Sequence, residues 1–245
     1  MSACISSSPR VDIGGLVPLS TTDYPGGRLA AVVFMQGCPW RCVYCHNPAL
    51  QPRRFTPTVW WADVERFLDK RAGLLDAVVF SGGEPTMHPA LPKLMDAVRA
   101  RGFRVGLHTA GIYPRRLAKV LPRSDWVGFD VKARFDDYSR VIGRTSGGAA
   151  ADESLQQVLD CGVEHEVRLT FHSGIFEPEG LLEIANGLAR RGVRTFALQE
   201  FRATGCRNAA LAGQPVNPVP TQILEAIERL FPSFTFRRSQ EPACA

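Results

Sequence analysis

The chain has 245 residues, 45% of them hydrophobic and 22% charged, the proportions of an ordinary globular domain, which exclude a fibrous or disordered polypeptide. Its net charge of +5 is spread over pairs such as Arg53-Arg54, Arg115-Arg116, Arg190-Arg191 and Arg237-Arg238 without interleaved aromatics, so it reads as arginine-rich usage rather than a nucleic-acid surface. No apolar run approaches the length of a membrane span, and the N-terminus lacks the charged-then-apolar layout of a signal peptide, which points to a cytoplasmic protein.

One domain is expected at this length, with a lead-in over 1–28, a core over 29–202 and a helix and tail over 203–245. A first strand is predicted at 30–34. Thr56 as cap and Pro57 at the first helical position then open a helix whose Trp60, Val64, Phe67 and Leu68 share a face, and Gly73 stops it. A strand at 77–80 precedes a helix carrying Leu91, Leu94, Met95 and Val98 that ends near Gly102. A strand at 103–107 leads to a short helix from Pro114 with Leu117, Val120 and Leu121. After a strand at 126–131, a helix with Leu155, Val158 and Leu159 ends at Gly162. The strand at 163–171 is followed by a helix from Pro178 burying Leu181, Leu182, Ala185 and Leu188 before Gly192. A strand at 195–198 and a helix with Ile223, Ile227, Leu230 and Phe231 complete the pattern.

The strand candidates are nearly continuous apolar runs, as parallel strands covered on both faces require. Six such βα units curl into a barrel or open as a doubly wound sheet, and periodicity does not choose between them. Either way the chemistry belongs at the carboxyl ends of the strands.

The seven cysteines are Cys4, Cys38, Cys42, Cys45, Cys161, Cys206 and Cys244. An odd number with one cluster is a poor disulfide framework and a better metal or redox site. The first strand runs directly into Cys38, Cys42 and Cys45, spaced C-x3-C-x2-C on one loop. Three thiolates are one short of the four that close a structural zinc site or an ordinary electron-transfer cluster. A 4Fe-4S cube held by three cysteines leaves its fourth iron open to a small chelating ligand. The zinc alternative needs a fourth donor, and His46, immediately after Cys45, is poorly placed for a tetrahedron. A disulfide switch between two of the three is the other alternative.

The spacing, with an aromatic before the last cysteine, resembles the signature of the radical S-adenosylmethionine (SAM) superfamily. The whole string from Gly37 to Pro48, ending His46-Asn47-Pro48, is similar to that of the glycyl-radical-enzyme activases, among them the activators of pyruvate formate-lyase and of anaerobic ribonucleotide reductase. The resemblance extends from about Gly14 to about Arg202, including Asp23-Tyr24-Pro25-Gly26. It implies an α/β fold, a partial (βα)6 barrel in a single domain. It also implies a 4Fe-4S cluster on Cys38, Cys42 and Cys45 with SAM as cosubstrate, and Tyr44 near the adenine. Gly82, Gly83 and Glu84, in the segment Gly82-Gly83-Glu84-Pro85, would meet the methionyl ammonium. Without the resemblance this segment is a turn in which paired glycines permit close backbone approach.

Thr109 and Gly111 match the third strand end of activases, whereas His108 departs from the acidic residue usual there, which leaves open whether a cation binds beside it. Asp130 and Lys132 match a D-x-K element and fall on one side of their strand by alternation. Arg168 and Arg202 match positions facing the cosubstrate; by themselves they are surface arginines.

The implied chemistry is reductive cleavage of SAM and hydrogen abstraction from a partner. Outside the loop no second C-x2-C group occurs, so auxiliary clusters are not indicated and a short activase is favoured. Asp23-Tyr24-Pro25-Gly26 and Leu198-Gln199-Glu200-Phe201-Arg202 look most like the branch that activates anaerobic ribonucleoside-triphosphate reductase, with reduced flavodoxin or a ferredoxin-type protein as electron donor. The alternatives are an activase of a pyruvate formate-lyase-like enzyme, a small-molecule enzyme such as a 7-carboxy-7-deazaguanine synthase, or a non-enzymatic iron-sulfur or zinc protein.

Overall fold

The computed structural model describes residues 11–54 and 56–239; Cys4 and Cys244 lie outside them. Eight strands form one sheet in strict chain order. The strands are β1 (Ile13–Ser20), β2 (Ala30–Met35), β3 (Ala77–Gly82), β4 (Arg104–Thr109), β5 (Trp126–Val131), β6 (Glu164–Phe171), β7 (Thr195–Glu200) and β8 (Ser233–Arg237). β1 runs antiparallel to β2 and every later neighbour is parallel, so the sheet curls without β8 closing on β1. The six predicted strands are β2 to β7.

Each expected end that falls short does so at the carboxyl side. β3, β4 and β7 continue two residues further than their apolar runs, through Ser81-Gly82, His108-Thr109 and Gln199-Glu200. The ladder holds there because the partner strands continue in register: Met35 sits opposite Gly82, His108 opposite Gly128 and Thr170 opposite Gln199. The polar side chains have a cavity to face and need no apolar cover.

The lead-in and the tail each hold a strand, which corrects the expectation of none outside 30–198. β1 carries Gly14, Gly15 and Pro18, residues that argue against a strand, yet it is an edge strand broken by two register irregularities and tolerates them. In β8, Phe234 and Phe236 lie opposite Phe196 and Leu198, and the Phe196 and Phe234 rings stand 6.0 Å apart.

The helices are α1 (Trp61–Asp69), α2 (Leu91–Arg99), α3 (Pro114–Val120), α4 (Tyr138–Ile142), α5 (Gly148–Asp160), α6 (Pro178–Arg190), α7 (Ala209–Ala212) and α8 (Thr221–Glu228). α1 begins at Trp61 and not at Pro57. Val59 is held extended by a bridge to Ile13, and the Asp63 carboxylate accepts from the Trp60 N–H at 2.9 Å, which starts the helix there. The short helices α4 and α7 lacked enough turns to show a period.

Alternation divides each strand between two faces. Val78, Phe80, Val105, Leu107, Val127, Phe129, Val167 and Leu169 join the helices' buried stripes in one large core. Ala30, Val32, Ala77, Val79 and Trp126 face inward and form, with Tyr24, a second small cluster at the amino ends of the strands. Full burial of a side chain such as Phe80 contributes roughly 1.5–3 kcal/mol. The inward positions at the other end of the same strands are polar, and they build the site.

Candidate active site

The cysteine loop leaves β2 at Met35 and is fixed mostly by its backbone. Gln36, buried, donates from Nε2 to the carbonyls of Ala49 (3.0 Å) and Pro52 (2.8 Å), folding the loop back on itself. Arg41 and Val43 N–H donate to Ile142 (2.8 Å) and Val141 (2.9 Å) at the end of α4, so this unpredicted helix is what the loop leans on. Two guanidiniums close it from outside: Arg41 Nη1 donates to the carbonyls of Cys38 (2.6 Å) and Trp40 (2.8 Å), and Arg144 Nε to that of Pro39 (2.7 Å).

The glycine loop after β3 packs directly against it. Gly83 N–H donates to Met35 O and Glu84 N–H to Gly37 O, each at 2.9 Å. A Cβ on Gly83 would lie 2.2 Å from Gly37 O, and one on Gly82, whose φ is +116°, 2.5 Å from Met35 N. The glycines therefore serve first to bring the two loops backbone to backbone. Glu84 is buried and does not line the cavity. Its Oε1 accepts from Thr86 N (3.1 Å), Thr86 Oγ1 (2.6 Å) and Thr109 Oγ1 (2.7 Å), and its Oε2 from Ala110 N (3.0 Å). The carboxylate thus clamps the glycine loop to the end of β4. Burial raises its pKa against the pull of these bonds.

Between the loops and the inward strand faces lies a cavity of about 260 Å³. It brings together Cys38, Cys42, Cys45, Tyr44, Gly82, Gly83, Thr109, Asp130, Lys132 and Arg168 of the expected set. Arg202 is exposed and outside it, because Phe201 takes the buried place beside it and stacks on His46 with ring centres 5.4 Å apart.

The wall residues assigned no role from sequence include Asp23, Ser81, Thr170 and Gln199. The signal for three of them was parity. Ser81 is two residues from Val79, Thr170 two from Arg168, and Gln199 is opposite Thr170.

The charges in the cavity are matched in pairs. Arg168, 8% exposed, donates from Nε to Asp130 Oδ1 at 2.9 Å and from Nη2 to Gly128 O at 3.3 Å, and Lys132 Nζ stands 3.7 Å from Asp130 Oδ2. A Cβ on Gly128 would come within 2.7 Å of the guanidinium, so this glycine makes room for it. Burial would raise the Asp130 pKa, but Arg168 and then Lys132 outweigh it and hold the carboxyl at about 2. Burial opposes the charge on Lys132, and Asp130 more than restores it.

His108 Nε2 lies 3.0 Å from the Asp23 carbonyl and 3.4 Å from Arg168 Nη1; the shorter contact, to an atom that can only accept, favours the proton on Nε2, with Nδ1 accepting from Ser81 Oγ at 3.3 Å. Burial, and then the Arg168 charge, lower its pKa, so His108 is a neutral strut between the segment before β2 and β3.

The thiols have no such match. Burial, and then Glu84, push Cys38 up to about 12, and burial pushes Cys42 up to about 11 although Lys132 opposes it. Three half-buried thiols facing one cavity are a donor set that a cationic iron group would satisfy by displacing their protons. Tyr44 Oη and His46 Nε2 are buried in the same wall with no partner among the described residues, atoms that a ligand in the cavity would serve. The residues present therefore fit a 4Fe-4S group with a polar cosubstrate beside it. Cys161 is exposed and bonds only to Val158 O at 3.2 Å, and Cys206 lies behind the loop with Sγ 3.8 Å from Val43 O.

The family model described as the Radical SAM superfamily matches residues 32–186. A Methanocaldococcus jannaschii protein, provisionally named a glycyl-radical enzyme activating enzyme, is 31% identical over 77% of this chain and 79% of its own length. The pyruvate formate-lyase-activating enzyme of Clostridium pasteurianum is 31% identical over 64% of this chain and 66% of its own. The SAM-bound structure of Streptococcus suis SuiB superposes with a TM-score of 0.63 at 12% identity, over 84% of this chain and 48% of that one, a likeness of fold alone.

Proposed function

This chain belongs to the radical SAM superfamily, whose members use a 4Fe-4S cluster and SAM, and from that premise we propose that it places a glycyl radical on a partner enzyme, an anaerobic ribonucleoside-triphosphate reductase. The observation that carries the reading is one cavity walled by three half-buried thiols on one side and by the paired Asp130, Lys132 and Arg168 on the other. When bound there, cluster and SAM supply reductive cleavage to methionine and a 5'-deoxyadenosyl radical that takes hydrogen from the partner.

The chain's own residues do the rest. Cys38, Cys42 and Cys45 hold the cluster. Gly82, Gly83 and Thr109 offer close-set polar groups on the facing wall, positioned by Glu84. Asp130, Lys132 and Arg168 bind the polar parts of the cosubstrate, with charge already balanced so that no lone ion is buried before it arrives. Tyr44 lies against the adenine with its unpaired hydroxyl as a handle. Arg202 enters the binding set only by rotating in from solvent, and we assign it a lesser part.

An activase is supported by the names of the two curated relatives and by the lack of a second C-x2-C group in the chain. The test is to mix reconstituted protein, reductant and SAM anaerobically with the reductase and, separately, with a pyruvate formate-lyase, and to record electron paramagnetic resonance. A glycyl signal on the reductase is expected. A signal only on the lyase would change the partner, and a released purine-like product without any protein radical would overturn the activase reading.

A further inference from the structure

Cys42 and Cys45 are walls of two spaces. On one side is the reaction cavity. On the other is a groove of about 300 Å³ that they share with Arg41, Gln51, Arg207 and Asn208, and both arginines are exposed. The segment that carries Arg207 lies against the cysteine loop: a Cβ on Gly205 would be 2.4 Å from His46 O, and Cys206 Sγ stands 3.8 Å from Val43 O.

Arg41 and Arg207 line this groove, and the two stretches of chain that build it hold the net positive charge of the sequence. Between Leu29 and Ala62 and between Phe201 and Leu224 the chain has five arginines and no lysine, aspartate or glutamate, which equals its net charge of +5 and leaves the remainder neutral. At the opposite end of the sheet arginines are neutralised in place, Arg99 by Asp125, Arg101 by Asp69 and Arg123 by Asp96. Among the described residues Arg41, Arg53, Arg54, Arg202 and Arg207 form no ion pair; Arg41 binds only backbone carbonyls, which leave its charge in place.

We infer that this groove is the docking surface of a small acidic one-electron donor protein. The inference rests on the radical SAM reading and adds the route of the electron. The reaction cavity is taken by cosubstrate and by the hydrogen to be abstracted, whereas the groove brings a donor to within the thickness of the loop that carries the thiols. One electron leaves the donor, which is oxidised, and reduces the cluster; no proton or group moves. An unpaired basic rim steers an acidic partner and makes its association salt-dependent.

The test uses reconstituted protein, a flavodoxin as the donor probe, and the variants Arg207→Glu and Arg54→Glu, with Arg229→Glu, exposed at the end of α8, as a control of equal charge. Binding of oxidised flavodoxin is measured by calorimetry at two salt concentrations. SAM cleavage is measured with photoreduced flavodoxin and with dithionite. Arg207→Glu and Arg54→Glu each weaken binding and slow the flavodoxin-driven reaction about tenfold, while dithionite-driven cleavage and the control stay at the wild-type level. Unchanged binding in both variants, or equal loss in the control, overturns the inference. So does a loss confined to radical transfer under dithionite, which would give the groove to the radical acceptor. Absence of dithionite-driven cleavage in the unaltered protein would instead sink the radical SAM reading.

Discussion

Along β3 and β5 the side chains that pack against the helices are large and apolar, whereas those that face inward are small or apolar at the amino end and polar toward the other. Val78 and Phe80 alternate with Ala77, Val79 and Ser81; Val127 and Phe129 alternate with Trp126, Gly128 and Asp130. The outer face is tolerant of exchange among apolar residues of similar volume. On the inner face each position answers to a particular neighbour: Gly128 to the Arg168 guanidinium, His108 to the Asp23 carbonyl, Asp130 to two cations. The same strands thus carry stability on one side and chemistry on the other.

The largest effect expected from breaking this division is at the cysteine loop. Cys42→Ala abolishes the cluster and all SAM cleavage, whereas Cys161→Ala, exposed on the far end of α5, keeps about four irons per chain after anaerobic reconstitution. Equal loss in both would mean that the wrong cysteines have been chosen. Next comes Phe80→Ala on the outer face, which should cost about 3–5 kcal/mol in denaturant unfolding. At a temperature where that variant remains folded its affinity for SAM should be close to normal; a protein of normal stability with lost SAM affinity would contradict the division. Gly83→Ala tests the contact between the two loops. Its Cβ meets the Gly37 carbonyl at 2.2 Å, so the loops must part, and the expected result is lower iron retention with a smaller loss of stability than in Phe80→Ala.

The smallest effect is in the response to acid. Asp130 is held at about 2 in the folded chain, below the ordinary aspartate value near 4, so its contribution is complete above about pH 4 and fades as the pH falls toward 2. His108 is also depressed, by burial and then by Arg168, so the unfolded chain takes up its proton first and stability erodes as the pH falls below about 6.5. His108→Gln should flatten the slope between pH 7 and 5 and leave the lower one, as read from denaturant midpoints at a series of pH values. An unchanged upper slope would assign it to another group.

How much of this was legible in the sequence follows the same division. The outer faces announce themselves as apolar runs and helix stripes, so β2 to β7 and six of the helices were read. The extensions of β3, β4 and β7 were not, because Ser81, His108 and Gln199 look like loop residues until a cavity is there to face them. β1 and β8 carry their evidence in pairing with neighbours and not in their own pattern. The cysteine loop was legible as a spacing, since coordination chemistry sets it locally. Glu84 was readable as polar and near the site, but its role as a clamp on Thr109 and Ala110 depends on β3 and β4 lying side by side. The surplus of arginine was visible, yet its concentration beside the thiols needed the chain to bring residues near 205 against those near 45.

The most direct measurement of the central claim is the product formed when anaerobically reconstituted protein is reduced in the presence of SAM. About four irons per chain and release of 5'-deoxyadenosine, both lost in Cys42→Ala, are the predicted result. Bound zinc with no 5'-deoxyadenosine would contradict it.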